Sequence, residues 1–425
     1  MDRKKKCALL LLRRYRKKKQ RRFWVHPFIT IMNPDGNYFL LKYKALKTDE
    51  KNFLEYFRMS ISSFEELLRL LSPYLQKQSY KGRIPVMPLE MIGLTIRFLA
   101  TGNEIRNIHL DYYRGISTVA KIIRVVCNAI WKFCLNANIP KITQQLFEEI
   151  AADFDKKANF PNCIGAVDGK HIRIRSPRKS GSLFFNYKGY NSIVLLAIVD
   201  SKYRFIYVDI GAYGKESDST IFHNTKLYDL LMRDDLPTPT SRPLPGFQEP
   251  VPFVFVGDEA FSISNNVMRP YSGKHLSVKQ RVFNYRLSRA RRYVECTFGI
   301  LANKWRIFHR PIGIGGRTRI GSAPGDLGLL EHTQPRPITY HRPINVSYDF
   351  AIDIVKACCI LHNFVINRDE LDTPIEMIID DSELQPLQQG LNVGSQVVSA
   401  NIIRNEYSDY FTSEVGALSW QLQKI

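Results

Sequence analysis

The chain has 425 residues, 44% hydrophobic and 24% charged, which is a globular balance with length for two to three domains. Its formal net charge of +21 is concentrated in two places: residues 1–28 hold twelve Lys/Arg against Asp2, a net +11, and residues 281–310 hold eight against Glu295, a net +7. Seven cysteines without CxxC or Cys/His zinc spacing argue against a disulfide scaffold and a zinc finger, no apolar run nears the roughly 18–20 residues of a membrane span, and the charge points to a phosphate backbone as partner.

The first 28 residues read as a basic, disordered arm. Cys7–Leu12 is too short for a secretory apolar core and runs straight into Arg13 and Arg14. The Arg13–Arg22 cluster suits nuclear import and a loose hold on DNA. Residues 53–160 then carry a helical pattern. Ser62–Glu65 and Ser63–Glu66 have capping-box spacing, and Phe64, Leu67, Leu68 and Leu71 form one stripe that Pro73 is expected to stop. Pro88 suits a first helical position and Gly102 a stop. Two more helices are expected, over 117–136 and 143–154. The set reads as an all-α domain, either a plain bundle or a helix-turn-helix-like reader using the 117–136 helix.

From Pro161 the period changes. Cys163–Val167 is apolar, Asp168-Gly169 follows, and His171–Arg175 alternates, predicting a strand with a bend at Gly169. Ser192–Asp200 and Arg204–Gly211 predict an antiparallel hairpin. One helix is expected from Ser217 or Asp218 to Met232, a buried strand over Val251–Gly257, and a long helix over Arg286–Trp305. Together these predict an α/β domain over 161–368 with a mixed sheet flanked by helices.

Within it, 313–344 is rich in Gly, Pro and Arg and has no period. His309-Arg310-Pro311-Ile312 recurs as His341-Arg342-Pro343-Ile344, so the segment reads as an insertion that a chain lacking it would fold without; failure of that deletion variant to fold would sink the idea. The insertion is expected to threaten the packing of the Tyr348–Val365 helix more than any site before it. Residues 369–425 open with seven acids and no Lys/Arg over Asp369–Glu383 and read as a largely flexible tail with a short helix near Asn401–Phe411.

Three acids stand out by position. Asp168 follows one apolar run, Asp258 ends another, and Glu295 lies on the long basic helix. Carboxylates at strand ends and on a flanking helix can converge, and three of them suit Mg²⁺ or Mn²⁺, with two ions serving in-line phosphodiester chemistry. Singly, each has a plainer explanation: turn chemistry for Asp168, a helix cap for Asp258, and an ion pair with Arg291 or Arg292 for Glu295. Lys170, Arg286, Arg289 and Arg292 are candidate phosphate contacts. His171 could orient a carboxylate or phosphate, although a surface-facing strand histidine is simpler. Asp218 is a possible fourth acid, although a helix cap is simpler there too. No GxxxxGK[ST], HExxH or GxSxG motif offers another chemistry.

The series Cys163–Ile172, Phe185-Asn-Tyr-Lys-Gly-Tyr190, Gly214–Asp218, Val256–Phe261, Met268–Tyr271, Phe283–Gly299 and Ala357–Asn363 resembles the PIF/Harbinger transposase-derived nucleases of HARBI type, within the DDE superfamily endonucleases. Tyr56–Ser60 and Leu99–Gly102 extend the likeness into the helical region, and Ser419–Gln421 fits it as well. The resemblance implies an RNase H-like core, a DDE triad of Asp168, Asp258 and Glu295, a divalent metal cation, DNA as substrate, nuclear location and a separate Myb-like DNA-binding partner. The 36 residues between Asp258 and Glu295 fit the family pattern, whereas 313–344 departs from it. The expected function is a metal-dependent DNA nuclease or transposase that cuts phosphodiesters and can pass the 3′-OH to a target. The alternatives are a domesticated DNA-binding or scaffold protein with an unused triad, and an exonuclease of the same fold that also uses Asp218.

Overall fold

A computed structural model of the protein describes residues 27–76, 85–177, 180–312, 348–369 and 395–425. The basic cluster up to residue 26, the 313–344 segment and most of the acidic run at 370–383 lie outside the described residues.

Among the described residues eight helices come first: α1 (Pro27–Met32), α2 (Tyr38–Leu46), α3 (Glu50–Phe57), α4 (Ile61–Leu75), α5 (Pro88–Thr101), α6 (Ile105–Tyr112), α7 (Ile116–Asn138) and α8 (Gln144–Ala158). The helical region therefore begins well before residue 53, and Pro27 and Phe28, the last two residues of the expected arm, already belong to a helix. Helix α4 starts at Ser60, not at the later serines, because the Ser60 hydroxyl accepts from the Ser63 N–H. Pro73 does not stop α4, which runs on to Leu75; so close to the helix end, proline forfeits only one backbone donor. Pro88 and Gly102 do bound α5, with Gly102 in the left-handed region at φ +63°.

The sheet follows: β1 (Cys163–Arg173), β2 (Ser192–Val199), β3 (Phe205–Tyr213), β4 (Val254–Val256) and β5 (Val267–Met268). Their order across the sheet is β3-β2-β1-β4-β5. The first three strands are antiparallel, while β4 runs parallel to β1 and β5 parallel to β4. A mixed five-stranded sheet of this order with helices against it is an RNase H-like fold, as expected. Strand β1 does not bend at Gly169, since it pairs with β2 without interruption from Ala166 to Arg173. Val251 belongs to a small ribbon with residues 242–243, leaving β4 shorter than expected.

Between β3 and β4 the expected single helix is two, α9 (Asp218–His223) and α10 (Lys226–Met232), because the Thr225 side chain accepts from Tyr228 N–H and starts a new helix. The long helix α11 spans Val278–Lys304, beginning eight residues earlier than expected at a Ser277/Gln280 capping box. Helices α12 (Tyr348–Ile366) and α13 (Ser395–Thr412) complete the fold.

One core joins the helical region to the sheet. Helix α7 packs Val119, Ile123, Val126 and Ile130 inward against α5 and α12. Asn363 on α12 pins three elements: its side chain accepts from Phe205 N–H and donates to the carbonyls of Phe205 and Asn138. That packing makes α7 a core helix first. Either side of the 313–344 segment is seated, with Ile312 N–H donating to the Arg173 carbonyl and the Tyr348 hydroxyl bonded to the Gly211 carbonyl. Helix α12 is deeply buried, so the expected damage to its packing is not found.

The reading of 369–425 as tail needs correction at its far end. Tyr407, Tyr410 and Phe411 of α13 bury their rings, those of Tyr407 and Phe411 stacking around Phe160 and that of Phe411 meeting Phe283. The acidic composition of the preceding run masked this three-and-four spacing. Asp369 is also fixed, its carboxylate accepting from Ser60 N–H and from the Ser60 and Ser63 hydroxyls.

Candidate active site at the sheet edge

Parallel register brings two of the acids together. Ala166 on β1 pairs with Val256 on β4, and two residues beyond each stand Asp168 and Asp258. Neighbouring strands lie about 4.8 Å apart, so the two carboxylates emerge at one height on adjacent strands. The Asp258 Oδ1 accepts from Ala260 N–H at 2.9 Å, which fixes the turn leaving β4. Asp168 Oδ1 accepts from its neighbour Gly169 N–H at 2.8 Å.

Asp218 is the third member of the cluster. It is the first residue of α9, whose cap is supplied by Ser217, so Asp218 is free of the capping role the sequence suggested. It packs on Gly169 so closely that a Cβ there would fall 2.1 Å from Asp218 Oδ1. Gly169 is thus required for a close approach and not for a bend. Asp218 Oδ1 is buried and has no hydrogen-bond partner. Such an oxygen is costly unless a cation or donor meets it.

The electrostatics follow from this crowding. Burial, then the Asp258 charge, push the Asp168 carboxyl up to about 7, with Arg291 opposing and Asp218 adding to the rise. Burial, then Asp258, raise Asp218 to about 6. Glu295 stands apart on α11, about half exposed, and reaches the cluster through Arg291. The Arg291 guanidinium lies 2.6 Å from Glu295 Oε1 and 3.9 Å from Asp168 Oδ2. Among the described residues, no three carboxylate, imidazole or thiolate groups stand at ligand geometry for one ion. A cationic side chain occupies the middle of the group.

Of the expected phosphate contacts, Lys170 stands with the acids, its Nζ 5.5 Å from the Phe298 ring centre. Burial lowers its pKa while Asp168 opposes that shift. Arg286 is a correction: it is 1% exposed and its guanidinium donates to the carbonyls of Asn159 and Gly416 and to Gln421 Oε1. It holds the chain together and is closed to DNA. Arg289 lies over Trp420 on the same side of α11, and Arg292 is placed near Tyr203 and Cys296.

His171 is half-buried and turned to neither an acid nor open solvent. Its Nδ1 meets Ser192 Oγ at 2.9 Å, and burial, then Lys188, lower its pKa to about 4, so it is neutral at pH 7. The expected Arg291–Glu295 pair is present, but sequence reasoning missed its reach to Asp168, and it missed Lys188, whose charge bears on Asp218, Lys170 and His171. The i,i+4 spacing of Arg291 and Glu295 was the available signal for the pair; Lys188 had none.

Residues 167–323, which include all four acids, match the family described as DDE superfamily endonuclease. The chain is similar to an ALP1-like protein of Arabidopsis thaliana, 23% identical over 372 residues, covering 85% of this chain and 82% of that protein. It is also similar to the Arabidopsis thaliana protein named antagonist of like heterochromatin protein 1, at 22% identity over 74% of this chain and 73% of that one. HARBI1 of Xenopus laevis, which carries a nuclease name, is 20% identical over 71% of this chain and 74% of its own length. No solved structure matches the chain. Asp168 and Asp258, level on adjacent parallel strands, and Glu295 on α11 all fall inside the matched segment, so residues 167–323 resemble the DDE superfamily endonucleases and the chain around them is similar to the relatives just named.

Proposed function

We propose that this protein is a divalent-metal-dependent DNA endonuclease, able to pass the 3′-OH it creates to a second DNA. The observation that carries the reading is the cluster of Asp168, Asp258 and Asp218, whose carboxylates repel one another and leave a buried oxygen of Asp218 unpartnered. Arg291 and Lys188 offset only part of that charge and leave the Asp218 oxygen unmet, and hard oxygen donors select Mg²⁺ or Mn²⁺. Asp168, Asp258 and Glu295 would hold the metal, two ions by the chemistry of phosphodiester cleavage, with Asp218 in support. When bound, the metal polarises the scissile phosphate and eases ionisation of the attacking water.

The chain's own groups have separate tasks in this reading. Arg291 neutralises Asp168 and Glu295 while the acids await their cation, then turns to a phosphate oxygen. Lys170, desolvated beside Asp168, sits where a phosphate entering the site would meet it. The basic cluster at 13–22 would serve nuclear import and a loose tether to DNA, and a Myb-like partner would supply sequence recognition.

A second reading is a chromatin-associated protein with an unused triad. The name of the heterochromatin-antagonist relative and the closed Arg291–Glu295 pair favour it. End-labelled duplex DNA incubated with Mg²⁺ or Mn²⁺ separates the two. Internal nicks that vanish in Asp258→Ala and Glu295→Ala are expected, with Asp218→Ala reduced about tenfold to a hundredfold, the usual loss for an outer-shell metal partner. Binding without any cut in either metal would support the second reading. Only end-trimmed products, lost in Asp218→Ala, would mark an exonuclease.

A further inference from the structure

Between β1 and β2 the chain makes a turn whose side chains alternate in and out. Phe184 and Asn186 are buried, at 5% and 3% exposed, whereas Phe185 and Tyr187 face solvent, at 50% and 79%. The turn is firmly built. Asn186 Oδ1 accepts from the N–H groups of Lys188 and Tyr190, its Nδ2 donates to Ser192 Oγ, and its own N–H reaches the Tyr190 carbonyl. Gly189, at φ +80°, closes the turn in a conformation that side chains avoid. Phe184 anchors it below against Tyr213 and Tyr348.

This turn is joined to the acids. The segment that leads from β3 to Asp218 bonds to its two ends, Lys215 N–H to the Leu183 carbonyl and Gly214 N–H to the carbonyl of Ser192 at the start of β2. The Tyr187 ring is braced at its edge by His171, with ring centres 5.6 Å apart, three residues along β1 from Asp168. Lys188 Nζ stands 5.3 Å from the Tyr187 ring centre, and its charge also bears on Asp218. Nearby, Arg173 lies over Tyr190 at 5.1 Å.

A large ring carried on a firmly bonded turn and left 79% exposed buries little apolar area and so adds little to stability. Aromatic rings interleaved with cations beside a phosphodiester-cutting site suit one occupant. We propose that Tyr187 is a stacking platform for an unpaired nucleobase of the strand being cut, with Lys188 on the adjoining phosphate. The platform makes frayed or flipped-out DNA ends the preferred substrate. The inference rests on the DNA-cleaving reading and adds a substrate form to it.

Binding of forked and blunt duplexes, each carrying 2-aminopurine at the end nucleotide, tests it in Ca²⁺, where cutting is suppressed. The wild-type protein is expected to bind the forked duplex more tightly and quench its fluorescence. Tyr187→Ala loses that preference, by about five- to hundredfold, the range of a single base–aromatic stack. Tyr187→Phe and Tyr187→Trp retain both preference and quench. An unchanged quench and preference in Tyr187→Ala would overturn the platform even if metal-dependent cutting is intact. If the wild-type protein binds neither duplex, the DNA-cleaving reading falls and takes the platform with it.

Discussion

Asp168→Asn is expected to abolish DNA cleavage and at the same time raise the melting temperature of the metal-free protein. The loss of activity follows from removing the acid at the centre of the cluster, and about three orders of magnitude or more is the scale for an acting unit that loses a member. The gain in stability follows from the same crowding. The unfolded carboxyl titrates near 3.9, whereas the folded Asp168 carboxyl titrates at about 7. Between those values the folded state holds more protons than the unfolded one, so stability falls as pH rises through that window. At pH 8 the amide relieves about 2 kcal/mol of that burden, which is a few degrees in a chain of this size. Thermal denaturation from pH 5 to 8 checks it. The wild-type curve should drop with pH more steeply than that of Asp168→Asn, and Mg²⁺ should restore only the wild type. Parallel curves would mean that Asp168 is not strained by its neighbours.

Arg286→Ala is expected to destabilise the fold by about 2–4 kcal/mol, through three lost hydrogen bonds and a void where a large side chain was. Its guanidinium joins the carbonyl after α8, the 413–417 turn and Gln421. Urea unfolding should show a lower midpoint, and limited proteolysis should begin in residues 395–425. If Arg286 were instead a phosphate contact, stability would be untouched and the slope of log K against log salt for DNA would fall by about one. That salt signature is expected for Lys170→Ala.

Much of the framework was legible in the sequence because it rests on local pattern. The apolar runs ending at Asp168 and before Asp258 announced two strands, and the hairpin announced itself through Asp200–Arg204. The pairing of Asp168 with Asp258 needed only parallel strands and a short step beyond each. The remainder depended on contacts distant in sequence. Gly169 looked like a bend, and its true constraint, Asp218, lies 49 residues further along. Arg286 looked like a DNA contact because it sits in a basic run, and nothing local shows that its partners are Asn159, Gly416 and Gln421. Strand β5 has two residues and no pattern to read. The start of α11 was missed for a different reason: Ser277 and Gln280 are a readable capping box, hidden by the polar stretch that follows.

The packing of Tyr407 and Phe411 against Phe160, of Phe411 against Phe283 and of Tyr410 against Phe247, with Gln421 clasped by Arg286, has a consequence for the gene as much as for the protein. All four acids are made long before these residues, but the wall they lean on is incomplete until synthesis has passed Gln421. A premature stop or frameshift between the codons for Glu295 and Gln421 is therefore expected to silence the product by misfolding while the codons for all four acids stay intact. A gene damaged there would still encode all four acids, so the codons for 395–421 report on whether the product can fold in a way that the codons for the acids do not.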